Sequence, residues 1–440
     1  MTRRQLLAST ALAPALRAQR RPNIVIILAD DLGYNDLGFQ GGKDVATPHL
    51  DALARAGTRY TNGYVSHPFC SPTRAGLMTG RYQQRFGHEN NMVFSRRDEV
   101  AGLPLTEVTL PELLRRAGYA TGLIGKWHLG AHPRFHPLKR GFSEMFGFIG
   151  GGHDYFNPGS KDNEEQILQP IEREDGSIVA EKEYLTTALG REAAAFVRRH
   201  KSDPFFLYLA FNAPHSPLQA PEAYLKRFAS IPNKNRRTYV AMVAAMDDAI
   251  GETLKAIRES GLDNDTLIFF LSDNGGPDGN ASSNKPLRAT KRTVYEGGIR
   301  VPFAVKWTGK VEAGKVSSTP VISLDLFSTA LAAAGVKPPK GRTIDGVDLL
   351  AAIPPRKLYW RAFGGDSFAV RDGKYKLVRT GKNPPELYDL DTDPGESRNL
   401  AGAQPGVLAE LETAREKWNT TLVKPLWLDH IFHKDQLAKH

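Results

Sequence analysis

Three short apolar runs limit what this chain can fold into. Residues 23–29, Asn-Ile-Val-Ile-Ile-Leu-Ala, show no polar alternation, and residues 204–211 and 266–271 repeat the design. A strand with one wet face alternates, whereas an unbroken run rich in β-branched and aromatic residues is buried on both faces, as in the middle of a parallel sheet. Each run stops on polar residues: Asp30-Asp31 after the first, Asn212-Ala-Pro-His215 after the second, Ser272-Asp273-Asn274 after the third. Parallel strands end on the same sheet edge, so these groups are expected to meet in one crevice. Helical patterns alternate with the strands at residues 47–56, 110–118 and 239–260, the second closed by glycine. The expected fold is α/β, with helices packed on both faces of a mostly parallel sheet.

After about residue 334 the texture changes. Val336-Lys-Pro-Pro-Lys-Gly is a turn-rich connector, and Asp372-Gly373 between two alternating runs predicts a hairpin. Residues 386–390 read as a further strand and 407–418 as an amphipathic helix. A chain of 440 residues exceeds the roughly 250–300 residues of one core, so a large unit over 21–340 and a small antiparallel one over 341–440 are expected. Residues 161–181 are polar enough to predict a loop on the substrate side.

Residues 1–18 carry Arg3-Arg4, an apolar stretch and then small residues, the pattern of a bacterial twin-arginine export signal. The expected location is periplasmic or extracellular. Cleavage after Ala18 removes Arg3, Arg4 and Arg17 and lowers the net charge from +10 to +7. A basic surface of this size either steers anionic substrates or is simply solvated. The basic residues are dispersed and carry no nucleic-acid motif, and no run approaches the roughly 18 apolar residues of a membrane span, so neither partner is expected. A single cysteine, Cys70, excludes an intrachain disulfide.

Asp30, Asp31, Asp273 and Asn274 together offer three carboxylates and an amide oxygen, a hard set suited to Ca2+, with Mg2+ the weaker alternative. No thiolate cluster accompanies them, which disfavours a soft metal. Cys70 precedes Pro72, a residue suited to a first helical turn, so Cys70 is expected just before a helix N-terminus, where backbone amides favour an anion. Arg74 lies one turn further on. Lys126 and His128 are two residues apart, hence on one side if the chain is extended there.

The run His67-Pro-Phe-Cys70-Ser71-Pro72-Thr73-Arg74-Ala-Gly-Leu-Met-Thr79-Gly80-Arg81 resembles the core signature of the type I sulfatases, within the alkaline-phosphatase-like superfamily. The resemblance extends over roughly residues 22–430, through the segments ending in Asp30-Asp31 and Asp273-Asn274, Lys126-Trp-His128, His215 and Lys291 before Glu296-Gly-Gly. It implies that Cys70 is oxidised by a formylglycine-generating enzyme to an aldehyde whose hydrate is the nucleophile. It also implies that Asp30, Asp31, Asp273 and Asn274 hold Ca2+, with residue 70 completing the shell through the sulfate side. Arg74 would steady the hydrate, Lys126 and Lys291 would bind sulfate, His215 would protonate the leaving oxygen with Lys291, and His128 would help expel sulfate. The implied substrate is a sulfate ester, more readily a sulfated saccharide than a small aryl ester. Ala289-Thr290 and Arg292 flank Lys291 where members of the family commonly carry glycine. His153, Asp154 and the loop after Phe156 are expected along the leaving-group pocket. Two other readings remain open: a phosphonate or phosphodiester hydrolase of the same superfamily, and a noncatalytic binder of sulfated glycans.

Overall fold

A computed structural model describes residues 21–156 and 170–429. The expected export signal lies outside the described residues, as do residues 161–169 of the expected loop. In chain order the strands are β1 (Asn23–Ala29), β2 (Thr58–Tyr60), β3 (Gly63–Tyr64), β4 (Ala120–Lys126), β5 (Glu144–Phe148), β6 (Ile171–Arg173), β7 (Ile178–Val179) and β8 (Phe205–Ala210). There follow β9 (Thr266–Ser272), β10 (Phe303–Lys306), β11 (Lys315–Ser317), β12 (Val321–Ile322), β13 (Lys357–Ala362), β14 (Ser367–Asp372), β15 (Tyr375–Thr380) and β16 (Glu386–Asp389). The helices are α1 (Pro48–Arg55), α2 (Cys70–Thr79), α3 (Leu110–Arg116), α4 (Leu185–Arg199), α5 (Glu222–Arg227), α6 (Lys234–Glu259), α7 (Glu296–Ile299), α8 (Asp325–Ala334) and α9 (Pro405–Asn419).

The main sheet has ten strands in the order β11-β2-β10-β9-β1-β8-β4-β5-β6-β7. Its centre, β9-β1-β8-β4-β5, is parallel throughout. The apolar runs occupy that centre because both faces are covered: Ile24, Ile26 and Leu28 enter one core while Val25, Ile27 and Ala29 enter the other, all fully buried. Burying each such aliphatic side chain is worth roughly 1.5–3 kcal/mol. Helices α4 and α6 contribute to one core, and α2, α3 and α8 to the other.

Two local expectations need correction. Helix α6 begins at Lys234, five residues before Tyr239, because the Asn233 side chain caps it by accepting the Arg236 amide. The polar stretch expected as a loop over 161–181 contains β6 and β7, which extend the antiparallel edge of the sheet. An edge strand with a wet face reads as polar.

The C-terminal part is a meander, β13-β14-β15-β16, antiparallel throughout. Asp372 pairs with Tyr375, so Gly373 and Lys374 form the turn, and Gly373 adopts a left-handed φ of 54° there. Helix α9 brings Leu411 onto Val370, Leu377 and Leu387. Trp360 of β13 enters the main core and donates its indole N–H to the Val65 carbonyl at 2.7 Å, seating the small sheet on the large one.

Candidate active site

The strand ends converge as the parallel sheet requires. Asp30, Asp31 and Asp273 are buried and, with Cys70, each offer one donor atom within 4.8 Å of all the others. Successive residues on an extended strand diverge, but the backbone turns to φ 64° at Asp31 and sends both acids to one centre. Cys70 is the first residue of α2 and not the residue before it, with Pro72 in the first turn.

Each carboxylate is half used. Asp30 Oδ2 accepts from Lys126 Nζ at 2.5 Å, while Oδ1 meets only the Cys70 thiol, at 3.6 Å, among the described residues. Asp31 Oδ1 accepts from Lys291 Nζ and the Asn274 amide, both at 2.6 Å, leaving Oδ2 beside His215 at 3.6 Å. Asp273 Oδ2 accepts from Arg74 Nε and Nη2 at 3.0 and 2.8 Å, and Oδ1 has only a long 3.4 Å approach from the Asp31 amide. Asn274 Oδ1 is buried and has no hydrogen-bond partner among the described residues. Three carboxylates that share one centre, each with an oxygen to spare, and the unpartnered amide oxygen of neighbouring Asn274 would supply four of the roughly six to eight hard oxygens Ca2+ takes, so the residues fit the expected metal.

The surrounding cations fall into two sets. Arg74 is fully buried, its guanidinium taken up by Asp273 and, at 2.9 Å, by the Lys126 carbonyl, so it braces a carboxylate and does not line the cavity. Lys291 does line the cavity and reaches Cys70 Sγ at 3.2 Å. His128 does not continue the extended strand: at φ 57° the chain turns, leaving Lys126 buried against Asp30 and bringing His128 to the cavity. Gly151 leaves room for that imidazole, since a Cβ there would lie 2.8 Å from His128 Nε2.

Burial pushes the Cys70 thiol up to about 12, against the pull of Lys126 and Lys291. A thiol held so high is not a nucleophile near neutral pH. Burial alone would raise Asp30, yet Lys126, His215 and Arg74 hold it well below the usual carboxylate range. Asp273 is pushed up, first by burial and then by Asp30 beside it. Both histidines sit below their ordinary value because burial disfavours the imidazolium, with Lys126 adding to this at each.

These residues floor a cavity of about 710 Å3 lined by Asp31, Cys70, His128, His215 and Lys291 together with a wall the sequence did not reveal. That wall includes Asn91, Met92, Val93, Phe94 and Asn280. Asn91 Oδ1 accepts the Ser71 amide and Asn280 donates to the Asp31 carbonyl, so both touch the site's frame. His153 and Asp154 are not part of this wall: His153 is buried against Phe148, and the Asp154 carboxylate accepts from the Phe156 amide and Gln219. Ala289 and Arg292, flanking the Lys291 loop, adopt left-handed φ values of 62° and 77°, so the loop keeps a glycine-like path without glycine.

The Sulfatase family pattern matches residues 22–336, and the pattern described as N-sulphoglucosamine sulphohydrolase, C-terminal, matches residues 289–417. The chain is 36% identical over 419 residues to N-acetylgalactosamine-6-sulfatase of Mus musculus, covering 88% of this chain and 78% of the relative. It is 36% identical over 461 residues to arylsulfatase A of Homo sapiens, covering 91% and 88%. Among solved structures it is similar to Ps i-CgsB in complex with k-i-k-neocarrahexaose, with a TM-score of 0.87 and 39% identity over 93% of this chain and 95% of that one. Sequence, fold and the convergence of the strand ends on Cys70 agree: this chain belongs to the sulfatase family.

Proposed function

We propose that the protein hydrolyses sulfate esters of a sulfated carbohydrate, with residue 70 matured from cysteine to formylglycine and with Ca2+ held by Asp30, Asp31, Asp273 and Asn274. The observation that carries this reading is the set of under-used oxygens beside a buried Cys70 whose own thiol stays protonated and is a poor nucleophile. Bound there, the ion and the aldehyde hydrate would supply positive charge and a nucleophilic hydroxyl, chemistry the unmodified residues lack. Similarity to an N-acetylgalactosamine-6-sulfatase and to a structure bound to a carrahexaose favours a saccharide over a small aryl ester.

The chain's own groups divide the remaining work. Lys291, between Asp31 and Cys70, places its ammonium where nonbridging sulfate oxygens would sit, and Lys126 behind it offsets the charge of Asp30. His215 lines the cavity beside Asp31, whose charge favours its imidazolium against burial, and is the general acid for the leaving oxygen together with Lys291, which Asp31 keeps protonated. His128, with Nδ1 unpartnered among the described residues, accepts a proton as sulfate departs. Arg74 keeps Asp273 oriented.

The test is mass spectrometry of the active-site peptide from protein made with a formylglycine-generating enzyme, followed by sulfate release from a panel of sulfated saccharides. Matched aryl sulfate, phosphonate and phosphodiester substrates run beside them. An aldehyde at residue 70 with preference for sulfate esters is expected. Full activity from an unaltered thiol, or preference for the phosphorus esters, overturns the reading.

A further inference from the structure

The cavity is larger than a sulfate group needs. Its volume of about 710 Å3 lies within the roughly 300–1,000 Å3 that encloses a drug-sized ligand, so much of it must serve the rest of the substrate. Met92, Val93 and Phe94 give one part of the wall an apolar character suited to the C–H face of a sugar ring. The charged lining residues differ in how they are satisfied. Lys291 and Asp31 answer each other, and Asp278 accepts from the Thr290 hydroxyl. Arg292 lines the same cavity, is exposed, and has no carboxylate partner among the described residues.

Its backbone is unusual as well. Arg292 stands at φ 77°, a left-handed conformation that strains a side-chain-bearing residue and that glycine adopts freely. The Arg292 amide donates to the Pro68 carbonyl at 3.1 Å, which ties this point of the loop to the segment entering Cys70. A strained position that holds a long cation on the rim of a site, with no carboxylate in ion-pair reach among the described residues, calls for a functional reason. A planar guanidinium offers paired donors that match a sulfate or carboxylate.

We infer that Arg292 is a specificity residue that receives a second anionic group of the substrate, a sulfate ester or a uronate carboxylate on the sugar next to the one being desulfated. This rests on the proposed function above and narrows its substrate class to polyanionic saccharides.

The test compares the matured wild type with R292G and R292K on three disaccharides: one with a single sulfate, one with a second sulfate on the neighbouring sugar, and one with a neighbouring uronate. Glycine accommodates the φ at this position, so R292G is expected to keep its melting temperature. The wild type should prefer one doubly charged disaccharide over the singly charged one by at least tenfold in kcat/KM. In R292G that ratio should fall at least tenfold, chiefly through KM, and R292K should restore part of it. Whichever disaccharide loses most identifies the anion. An equal ratio in wild type and R292G, or equal losses on all three substrates, overturns the inference while leaving the proposed function standing. No sulfate release by the wild type from any of them, or from an aryl sulfate, overturns the proposed function and this inference with it.

Discussion

Around Glu296 the protein answers every buried charge with a partner of its own, whereas around Asp30 it leaves part of each carboxylate open. At the junction with the small sheet, Lys376 Nζ donates to Glu296 and Glu396, both at 2.8 Å. The other Glu396 oxygen accepts the Glu296 amide at 2.7 Å, and the other Glu296 oxygen accepts from the Tyr64 hydroxyl at 2.7 Å and Arg300 at 3.3 Å. All three central residues are at most 1% exposed, as are Asp30 and Asp273. Burial and charge are therefore common to both clusters. What separates them is unsatisfied acceptor capacity beside a cavity, which a closed network has no use for. The closed cluster satisfies itself at a junction; the open one leaves acceptor atoms beside a cavity.

Four experiments break or sharpen that contrast. The largest effect is expected for Cys70→Ala in the open cluster: sulfate release should fall by about 10⁴-fold or more, as when a nucleophile is removed, while thermal unfolding barely moves. A noncatalytic binder would instead keep its affinity for sulfated glycan and show no turnover in the wild type either. Chelation of the wild type with EGTA should lower turnover by roughly 10³-fold, in keeping with the several kcal/mol a bound cation contributes, and added Ca2+ should restore it. If activity survives exhaustive chelation, the leftover oxygens have been misread.

In the closed cluster, Lys376→Met strands two buried carboxylates and should cost about 3–5 kcal/mol of stability in denaturant titration. A loss as small as that of a surface pair would mean the two clusters are not different in kind. The smallest effect concerns pH. Burial, and then Glu296 beside it, push Glu396 up to about 7 against the pull of Lys376, while Lys376 and Arg300 overcome burial to hold Glu296 low. The folded protein thus binds a proton at Glu396 that the unfolded chain, with an ordinary carboxyl, has already released. Stability from this group is greatest below its ordinary value and declines as pH rises towards 7. Glu396→Gln should flatten that decline in unfolding measured from pH 4.5 to 7, and an unchanged slope would remove Glu396 as its source.

The parallel centre of the sheet was legible because burial on both faces erases alternation, and the meeting of Asp30, Asp31, Asp273 and Asn274 follows from strands that share a direction. The start of α2 was legible from Pro72 to within one residue. Other features depend on partners far away in the chain. Strand β13 went unread because Arg361 looks like a surface residue, yet it is buried by pairing with Glu89, 272 positions away. The motif puts Arg74 beside the nucleophile but says nothing of its chief partner, Asp273, which lies 199 positions on. The wall formed by Asn91 and Met92 to Phe94 has no periodicity to announce it, and His153 and Asp154 lay close to the right strand end yet turn to other partners.

The seat of Cys70, 1% exposed in the opening turn of α2, bears on when the proposed conversion to formylglycine would take place. A side chain this deep in the floor of its cavity offers little for another macromolecule to hold, so under the proposed maturation the modifying catalyst would meet the polypeptide while that stretch is still open. On that reading, copies that fold with the plain thiol would be well formed but without turnover.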